Sequence, residues 1–539
     1  MIIKKVKILN FKSLRDFEIE FNNDINIIVG NNESGKSTIL EAINLALNGQ
    51  LNGRQAINEI SPYIFNLEIV NEFKADLVAG NTPLPPSILI ELYFTSEDPK
   101  LASFKGTDNS EKSNELGIVA SIEFDERFND EYLSYIENPA QVKNIPTEYF
   151  KFNWHSFSGA SLTKRGIPIT TTLIDASTIR LQYGTDYYIQ KIINDTLDPT
   201  QRTNLSLIYR GLKESFSSEE AIQEINDVLS DTSANLNEKA LSVSIDVSQK
   251  HSWETHLTAY LDEIPFNYLG KGEQNILKIL LALERQVEDS NIILLEEPEN
   301  HLSYSTMSKL IKRVHEKCEG KQLILTSHNT FILNKLGLEK VILIANGTQT
   351  NLSALSEETQ NYFRKLPGFD TLRLVIAEKP ILVEGPSDEL IVQKAYMMQN
   401  EGKLPIEDGW DIITVRGLSF KRFLDISILL GKQVVVVTDN DGNYAKNITG
   451  KYQDYLVHDF INICADTNND YPTLELQIVN DNTLENINII LGKEFESKEE
   501  AIAFMTKSAN KTECALKLFE TDIEWVVPQY ILNAIETEE

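Results

Sequence analysis

Ile25-Asn26-Ile27-Ile28-Val29-Gly30-Asn31-Asn32-Glu33-Ser34-Gly35-Lys36-Ser37 joins a strand-like apolar run to the pattern G-x-x-x-x-G-K-S. Successive backbone N–H groups of such a loop can wrap phosphate oxygens, and the following helix adds its positive N-terminal end. Lys36 is placed to neutralise β- and γ-phosphates and the Ser37 hydroxyl to ligate magnesium. The stretch Thr38–Leu47 is helix-prone and free of Gly and Pro. A flexible turn can match this loop by chance, but a strand before it and a helix after it make that reading poor. The expected triphosphate site comprises Gly30, Asn31, Asn32, Glu33, Ser34, Gly35, Lys36, Ser37 and Thr38.

Working outward, 539 residues exceed one ordinary core and predict two or more domains. A composition of 42% hydrophobic and 24% charged residues is that of a soluble globular protein. No apolar run approaches a membrane span, and Met1-Ile2-Ile3-Lys4-Lys5 lacks a signal-peptide layout. Cys318, Cys464 and Cys514 match no metal spacing and suit a reducing compartment, so the expected location is cytoplasmic, with no membrane partner. A formal net charge of −30 argues against non-specific nucleic-acid binding by the whole surface but leaves room for a local basic track. Candidates are Lys4, Lys5, Lys7 and Lys12, then Lys164 with Arg165, then Lys421 with Arg422; each alone reads as solvated surface.

Residues 1–155 read as mostly strands plus the phosphate-loop helix. From about Asp186 to Lys239 the pattern is helical, clearest at Tyr188–Ile193 and Ala221–Leu229, as in an insertion between two halves of one nucleotide-binding domain. Strand and helix alternate from Leu269 to Ile344, which predicts a largely parallel sheet. A polar stretch at Ser353–Asn361 and Pro367-Gly368 mark a hinge, after which a new alternation runs from Ile381 to about Phe519. The expected divisions are 1–185, 186–240, 241–366 and 374–539.

Ile292-Ile293-Leu294-Leu295-Glu296-Glu297 is an apolar strand ending in paired carboxylates. Two acids at the end of a buried strand are costly unless a cation joins them, and in phosphate-loop ATPases the first holds magnesium while the second polarises the attacking water. His328 ends another apolar strand, Leu323–Ser327, within reach of a γ-phosphate; a lone histidine there is usually structural and counts only in combination. Leu269-Gly270-Lys271-Gly272-Glu273-Gln274 precedes a helix, and Glu299-Asn300-His301-Leu302 leaves the paired acids. With Ile8–Leu14 as a first strand and turn, this set resembles the ABC-type ATPases of the SMC and RecF group. That resemblance implies two heads sandwiching ATP, with Lys271 and Gly272 closing over the partner's γ-phosphate. The loop departs from the family's L-S-G-G-E-Q, with Gly270 in place of serine and Lys271 in place of glycine. Slow turnover, or ATP acting as a conformational clamp, is the implied consequence.

Downstream, Pro380–Val383 leads into Glu384-Gly385 and a helix carrying Asp388, and Gln433–Val437 leads into Thr438-Asp439-Asn440-Asp441. Ligands gather at the carboxyl ends of parallel strands, so these acids can converge on magnesium or manganese. An isolated Asp-Asn-Asp-Gly is equally good turn chemistry. The pairing of strand–Glu-Gly with strand–DxD resembles a Toprim domain. An SMC-like ATPase followed by Toprim resembles the OLD (overcoming lysogenization defect) family nucleases, a group that includes Gabija nuclease subunits and retron-associated members. The resemblance implies an α/β architecture: an ABC-type ATPase head with a helical dimerisation insertion, then a Toprim domain. It implies metal ligation by Glu384, Asp388, Asp439 and Asp441, a second metal element at Thr473 and Glu475, and a catalytic lysine at Lys511, with Lys507 its competitor. In the ATPase, Ser37 and Glu296 would hold metal and Glu297 would be catalytic. Gly417 is expected to shape a close turn.

The activity so implied is ATP-regulated, metal-dependent cleavage of phosphodiester bonds in DNA, or RNA, in antiphage defence, with ATP and magnesium (manganese at the Toprim site) as cofactors. The implied partners are nucleic acid, a second copy or higher homo-oligomer, and a neighbouring helicase or a retron reverse transcriptase with its RNA–DNA product. The rival reading is a nucleic-acid-binding ATPase sensor or scaffold with a non-cleaving Toprim. A topoisomerase would need a tyrosine-bearing DNA gate for which no length remains, and a primase would need zinc elements that three scattered cysteines cannot supply.

Overall fold

The computed structural model describes residues 2–51, 54–96, 98–163, 166–167, 169–175, 181–182, 185–186, 197–234, 241–246, 253, 258–285, 290–345, 347–366, 370–416 and 419–536. They form two compact units, Met1–Ile25 with Ser37–Thr326, and Asn26–Lys36 with Ser327–Glu539.

In the first unit, Ile2–Phe11 lies between Leu14–Glu20 and Ile88–Thr95 in an antiparallel sheet that Glu115–Phe124 and Phe150–Ser156 extend. Ile3, Val6, Ile8 and Phe11 are buried while Lys4 is exposed, as a sheet with one wet face requires. Thr171–Asp175, Ile292–Glu296 and Gln322–Thr326 are parallel, in a register that sets Asp175 beside Glu296 and Glu296 beside Thr326. Ile292, Ile293, Leu294 and Leu295 are all buried, which is why this strand reads as an unbroken apolar run. The buried Gln322 side chain fastens the two sheets. Its Nε2 donates to the Ile3 carbonyl at 2.8 Å, and its Oε1 accepts from the Ile3 N–H at 2.8 Å.

The stretch 1–155 is less purely β than its sequence suggested. Helices Leu67–Val78 and Asn129–Ile136 interrupt it, the first capped by Asn66, whose side chain accepts from the Glu68 N–H. Of the helical insertion, Pro199–Ser217 begins with a capping box between Asp198 and Gln201, and Glu220–Ala234 covers the Ala221–Leu229 pattern. Tyr188–Ile193 lies outside the described residues.

In the second unit, Ile25–Gly30 (apart from Ile25 itself) pairs parallel with Val341–Ala345, and Thr348–Asn351 adds an antiparallel edge. The polar stretch expected to be a hinge is partly helical: Ser356 caps Glu357–Lys365 by accepting from the Thr359 N–H. Pro367-Gly368 lies outside the described residues. Beyond it, four parallel strands stand in the order Trp410–Thr414, Lys379–Val383, Val434–Val437, Ile461–Cys464. The alternation stops there; Leu474–Asp481, Leu484–Leu491, Lys498–Met505, Lys511–Glu520 and Gln529–Ile535 are all helices. Ile381, Val383, Val435 and Val437 pack with Val392, Ile478, Leu518 and Ile531 into one core. That core holds the carboxyl ends of the strands against the helices that face them.

Cys318, Cys464 and Cys514 are buried free thiols. Among the described residues no helix is long and apolar enough to cross a membrane.

Candidate active site

The phosphate loop owes its shape to glycine. A Cβ on Gly30 would meet the Ile344 carbonyl oxygen at 2.4 Å, and Gly35 has φ +91°. Glu33 also takes a left-handed conformation, φ +69°. Lys36 is buried and folds back on the loop, donating to the Gly30 and Asn31 carbonyls at 3.0 and 2.8 Å. The Ser34 hydroxyl is buried with no partner among the described residues. A phosphate oxygen would supply an acceptor for both side chains.

Ser37, in the first unit, donates a hydrogen bond to Glu296. Burial pushes the Glu296 carboxyl above the ordinary carboxylate range; the Ser37 bond opposes this, and Asp175, Glu41 and Glu297 add repulsion. An acid bonded to a serine hydroxyl and lying in the field of three further acids suits a divalent cation. Asp175 escaped the sequence reading because only the parallel register puts it beside Glu296. Glu297 adopts φ +39°, its N–H donates to Thr326, and its carboxylate accepts from Asn300 Nδ2 at 2.8 Å. Such a conformation in a non-glycine residue costs about 1–3 kcal/mol and is typical of functional positions. His328 is exposed and lies two residues beyond the strand Gln322–Thr326, not at its end.

The departed signature loop is still built as one unit with the loop after the acids. Lys271 opens helix Lys271–Arg285 and is exposed, whereas a Cβ on Gly272 would meet the His301 carbonyl oxygen at 2.4 Å. Gln274 Nε2 donates to the Phe266 and Leu269 carbonyls, and Asn275 Nδ2 to the Asn300 carbonyl at 2.7 Å.

At the Toprim-like sheet, Glu384 and Asp439 leave neighbouring parallel strands. Glu384 Oε1 accepts from the Thr438 hydroxyl at 2.5 Å and from the Asp439 N–H at 3.4 Å. Asp388 Oδ2 accepts from the Gly385 N–H at 3.0 Å, and Asp439 Oδ1 from the Leu474 N–H at 2.9 Å. Burial, then the charge of Glu384 and next Glu475, pushes Asp388 up to about 7. Burial, then Asp388, Glu384 and Glu475, pushes Asp439 up to about 8. Glu475 is buried and pairs through Oε1 with Lys511 Nζ at 2.8 Å, while its Oε2 and the Thr473 hydroxyl are buried without partners among the described residues. Lys507 is exposed. The expected acids, threonine and lysine therefore gather at one edge, except that Asp441 is exposed, with φ +48°.

The Asp-Asn-Asp-Gly turn has its own internal bonding as well. Buried Asn440 donates to the Asp466 and Asn468 carbonyls and accepts from the Gly442 N–H, each at 2.8 Å. Turn chemistry thus positions the acids rather than competing with them. Tyr530, buried on the last described helix and held above the usual phenol range chiefly by burial, lies within the fields of Asp439, Asp388, Asp466 and Glu384. Nothing in its sequence surroundings marked it.

Among the described residues no three acid, histidine or cysteine side chains already form a complete ligand group. The donor set nonetheless fits a divalent cation. Oxygen ligands predominate, two buried oxygens lack partners, and mutual repulsion lifts Asp388 and Asp439. Of the basic candidates, Lys5 pairs with Glu18 and Glu111, Lys12 with Glu41, and Arg422 with Glu358. Lys164, Arg165 and Gly417 lie outside the described residues.

Residues 1–333 match the family model described as AAA ATPase domain, and residues 376–441 match the overcoming lysogenization defect protein-like TOPRIM domain. The chain is 20% identical over 496 residues to Endonuclease GajA of Bacillus cereus (strain VD045), covering 88% of this chain and 81% of the relative. It is 21% identical over 384 residues to an ATP/GTP phosphatase of Helicobacter pylori, covering 67% of this chain and 94% of the relative. Among solved structures, an Smc head domain bound to the C-terminal domain of ScpA, from Pyrococcus furiosus, is similar over 68% of this chain and 99% of its own, at 15% identity and TM-score 0.34.

Proposed function

From the premise that this chain belongs to the AAA ATPase-domain family and carries an OLD-like Toprim domain, we propose that it is an ATP-regulated, metal-dependent endonuclease. The observation that carries the reading is the gathering of Glu384, Asp388, Asp439 and Glu475 with Lys511 and the unpartnered Thr473 hydroxyl at one sheet edge. Likeness to an endonuclease over most of the chain supports it.

Glu384, Asp388, Asp439, Asp441, Thr473 and Glu475 would hold magnesium or manganese. Divalent ions so bound supply the Lewis acidity and activated water of phosphodiester hydrolysis. Lys511 neutralises Glu475 and presents an ammonium where negative charge develops on a phosphoryl group. In the ATPase, Gly30–Thr38 would bind ATP, Ser37 and Glu296 its cation, and Glu297 would orient the attacking water. Lys271, Gly272 and His328 would contact the γ-phosphate, the first two from a second copy. Lys271, replacing a small residue, would make ATP more a conformational signal than a fuel.

Dimerisation through the insertion is part of the proposal. Leu207, Ile208 and Leu212 on one helix and Val228 on the next are more than half exposed, an apolar surface suited to burial against its own kind. A role in antiphage defence in the cytoplasm, with a helicase or a reverse transcriptase as partner, is the biological setting proposed.

The test is plasmid nicking and linearisation with magnesium or manganese, alongside single-stranded DNA and RNA, by wild type and Asp439→Ala. Cleavage by wild type alone is expected; equal inertness on all substrates would sink the nuclease reading. The scaffold reading predicts that inert outcome.

A further inference from the structure

The turn Ala445–Gly450, just after Asp441, is tied to the acid-bearing loop: Asn447 Nδ2 donates to the Asn440 carbonyl at 3.0 Å, and the Tyr444 N–H to Asn469 Oδ1 at 2.8 Å. It brings Lys451 and Tyr452 within the fields of Glu384 and Asp441. Lys451 Nζ lies 4.9 Å from the centre of the Tyr452 ring and forms no hydrogen-bonded ion pair among the described residues. Tyr452 is 0% exposed, yet its hydroxyl has no hydrogen-bond partner among the described residues. A buried unsatisfied donor is costly and marks a place where another group belongs.

Lys421 reaches the same place from another element. It stands in the first turn of Phe420–Leu430, which carries no acid there, and its Nζ lies 5.9 Å from the centre of the Tyr455 ring. A cation at the positive end of a helix is of the wrong sign unless an anion arrives. Lys421 and Lys451 also repel one another. The neighbouring Arg422, by contrast, is engaged by Glu358. Two lysines with no ion-pair partner among the described residues, each over an aromatic ring, beside metal-fitting acids in a chain of net charge −30, form a local anion site.

We propose that Lys451 and Lys421 receive the phosphodiester backbone of the nucleic-acid strand whose scissile phosphate lies at Glu384 and Asp439. The inference rests on the nuclease reading. Tyr452 positions Lys451 and supplies a donor at the inner wall. The contacts are to phosphate and not to bases, so they add affinity without sequence preference.

Full-length wild type, Lys451→Gln, Lys421→Gln, the double variant and a distant control, Lys403→Gln, are compared by anisotropy of a fluorescein-labelled duplex across a potassium chloride series. Cleavage kinetics in manganese accompany the binding. Each site variant is expected to weaken binding several-fold, flatten log K against log salt by about one unit per lysine, and raise KM while leaving kcat within about two-fold. Lys451→Arg restores binding, and the control matches wild type. Wild-type salt slope and KM in the double variant overturn the inference, as does a loss confined to melting temperature or manganese affinity, which would mark Lys451 as a structural neutraliser. Wild type that neither binds nor cleaves would sink the nuclease reading itself.

Discussion

Lys511 Nζ sits 2.8 Å from Glu475 Oε1, joining the first residue of one helix to a buried acid in the first turn of another. Burial works against the lysine's charge, yet its hydrogen bond to Glu475, with Asp439 and Asp388 beyond, leaves its pKa raised. The acid edge therefore comes with a cation already matched to it.

Lys511→Ala removes that cation and leaves a buried carboxylate alone. Cleavage should fall by about a hundredfold or more. Stability should drop by only about 1–2 kcal/mol, because the lysine is partly exposed and water can reach the vacated place. Chemical denaturation and single-turnover cleavage together check this. A large loss of stability with normal cleavage would contradict it.

The raised carboxyls fix the sign of a pH effect. Asp388 at about 7 and Asp439 at about 8 hold protons more tightly in the fold than an unfolded Asp at about 4. Their contribution to stability is complete at acid pH and is lost as pH rises towards about 8. Melting of the metal-free protein should fall across that window, and added magnesium or manganese should recover more stability at pH 8 than at pH 5. A metal effect independent of pH would count against shared ligation by the two.

Glu297→Gln should keep nucleotide binding and slow hydrolysis by about a hundredfold, as loss of a group that orients water does. Lys36→Ala should instead abolish binding, since its ammonium already lies against the loop carbonyls. Labelled-nucleotide binding and phosphate release separate the two. Unchanged binding in Lys36→Ala would overturn the loop assignment.

Gly272→Ala should displace the signature helix from the loop after the paired acids, because the new methyl would lie 2.4 Å from the His301 carbonyl oxygen. The expected cost is about 1–3 kcal/mol together with reduced ATP turnover. A Gly270→Ala variant, which meets nothing within 4 Å, should be close to neutral for stability. Equal melting temperatures for the two variants would refute the packing argument.

Much of the fold was legible because its parallel strands are buried on both faces and lead into groups that no core tolerates without cause, as at Glu296, Glu384 and Asp439. The Toprim-like acids were readable as a set, and the structure brings most of them together. Asp175 and Tyr530 were not legible, since one depends on parallel register and the other on a distant helix folding back. Lys421 was visible as charge, but its place opposite Lys451 arises only from tertiary packing. The short helix Glu357–Lys365 was hidden in a polar stretch because its core contacts rest on little more than Phe363 and Thr359.

The central claim is that the acids leaving the two neighbouring strands cleave phosphodiesters with divalent metal. Its most direct measurement is the rate of supercoiled plasmid cleavage in manganese by wild type against Asp439→Asn, which keeps an acceptor for the Leu474 N–H but removes the charge. Wild type should cleave, and the variant should melt normally and lose about a hundredfold or more in rate. Equal rates would contradict it.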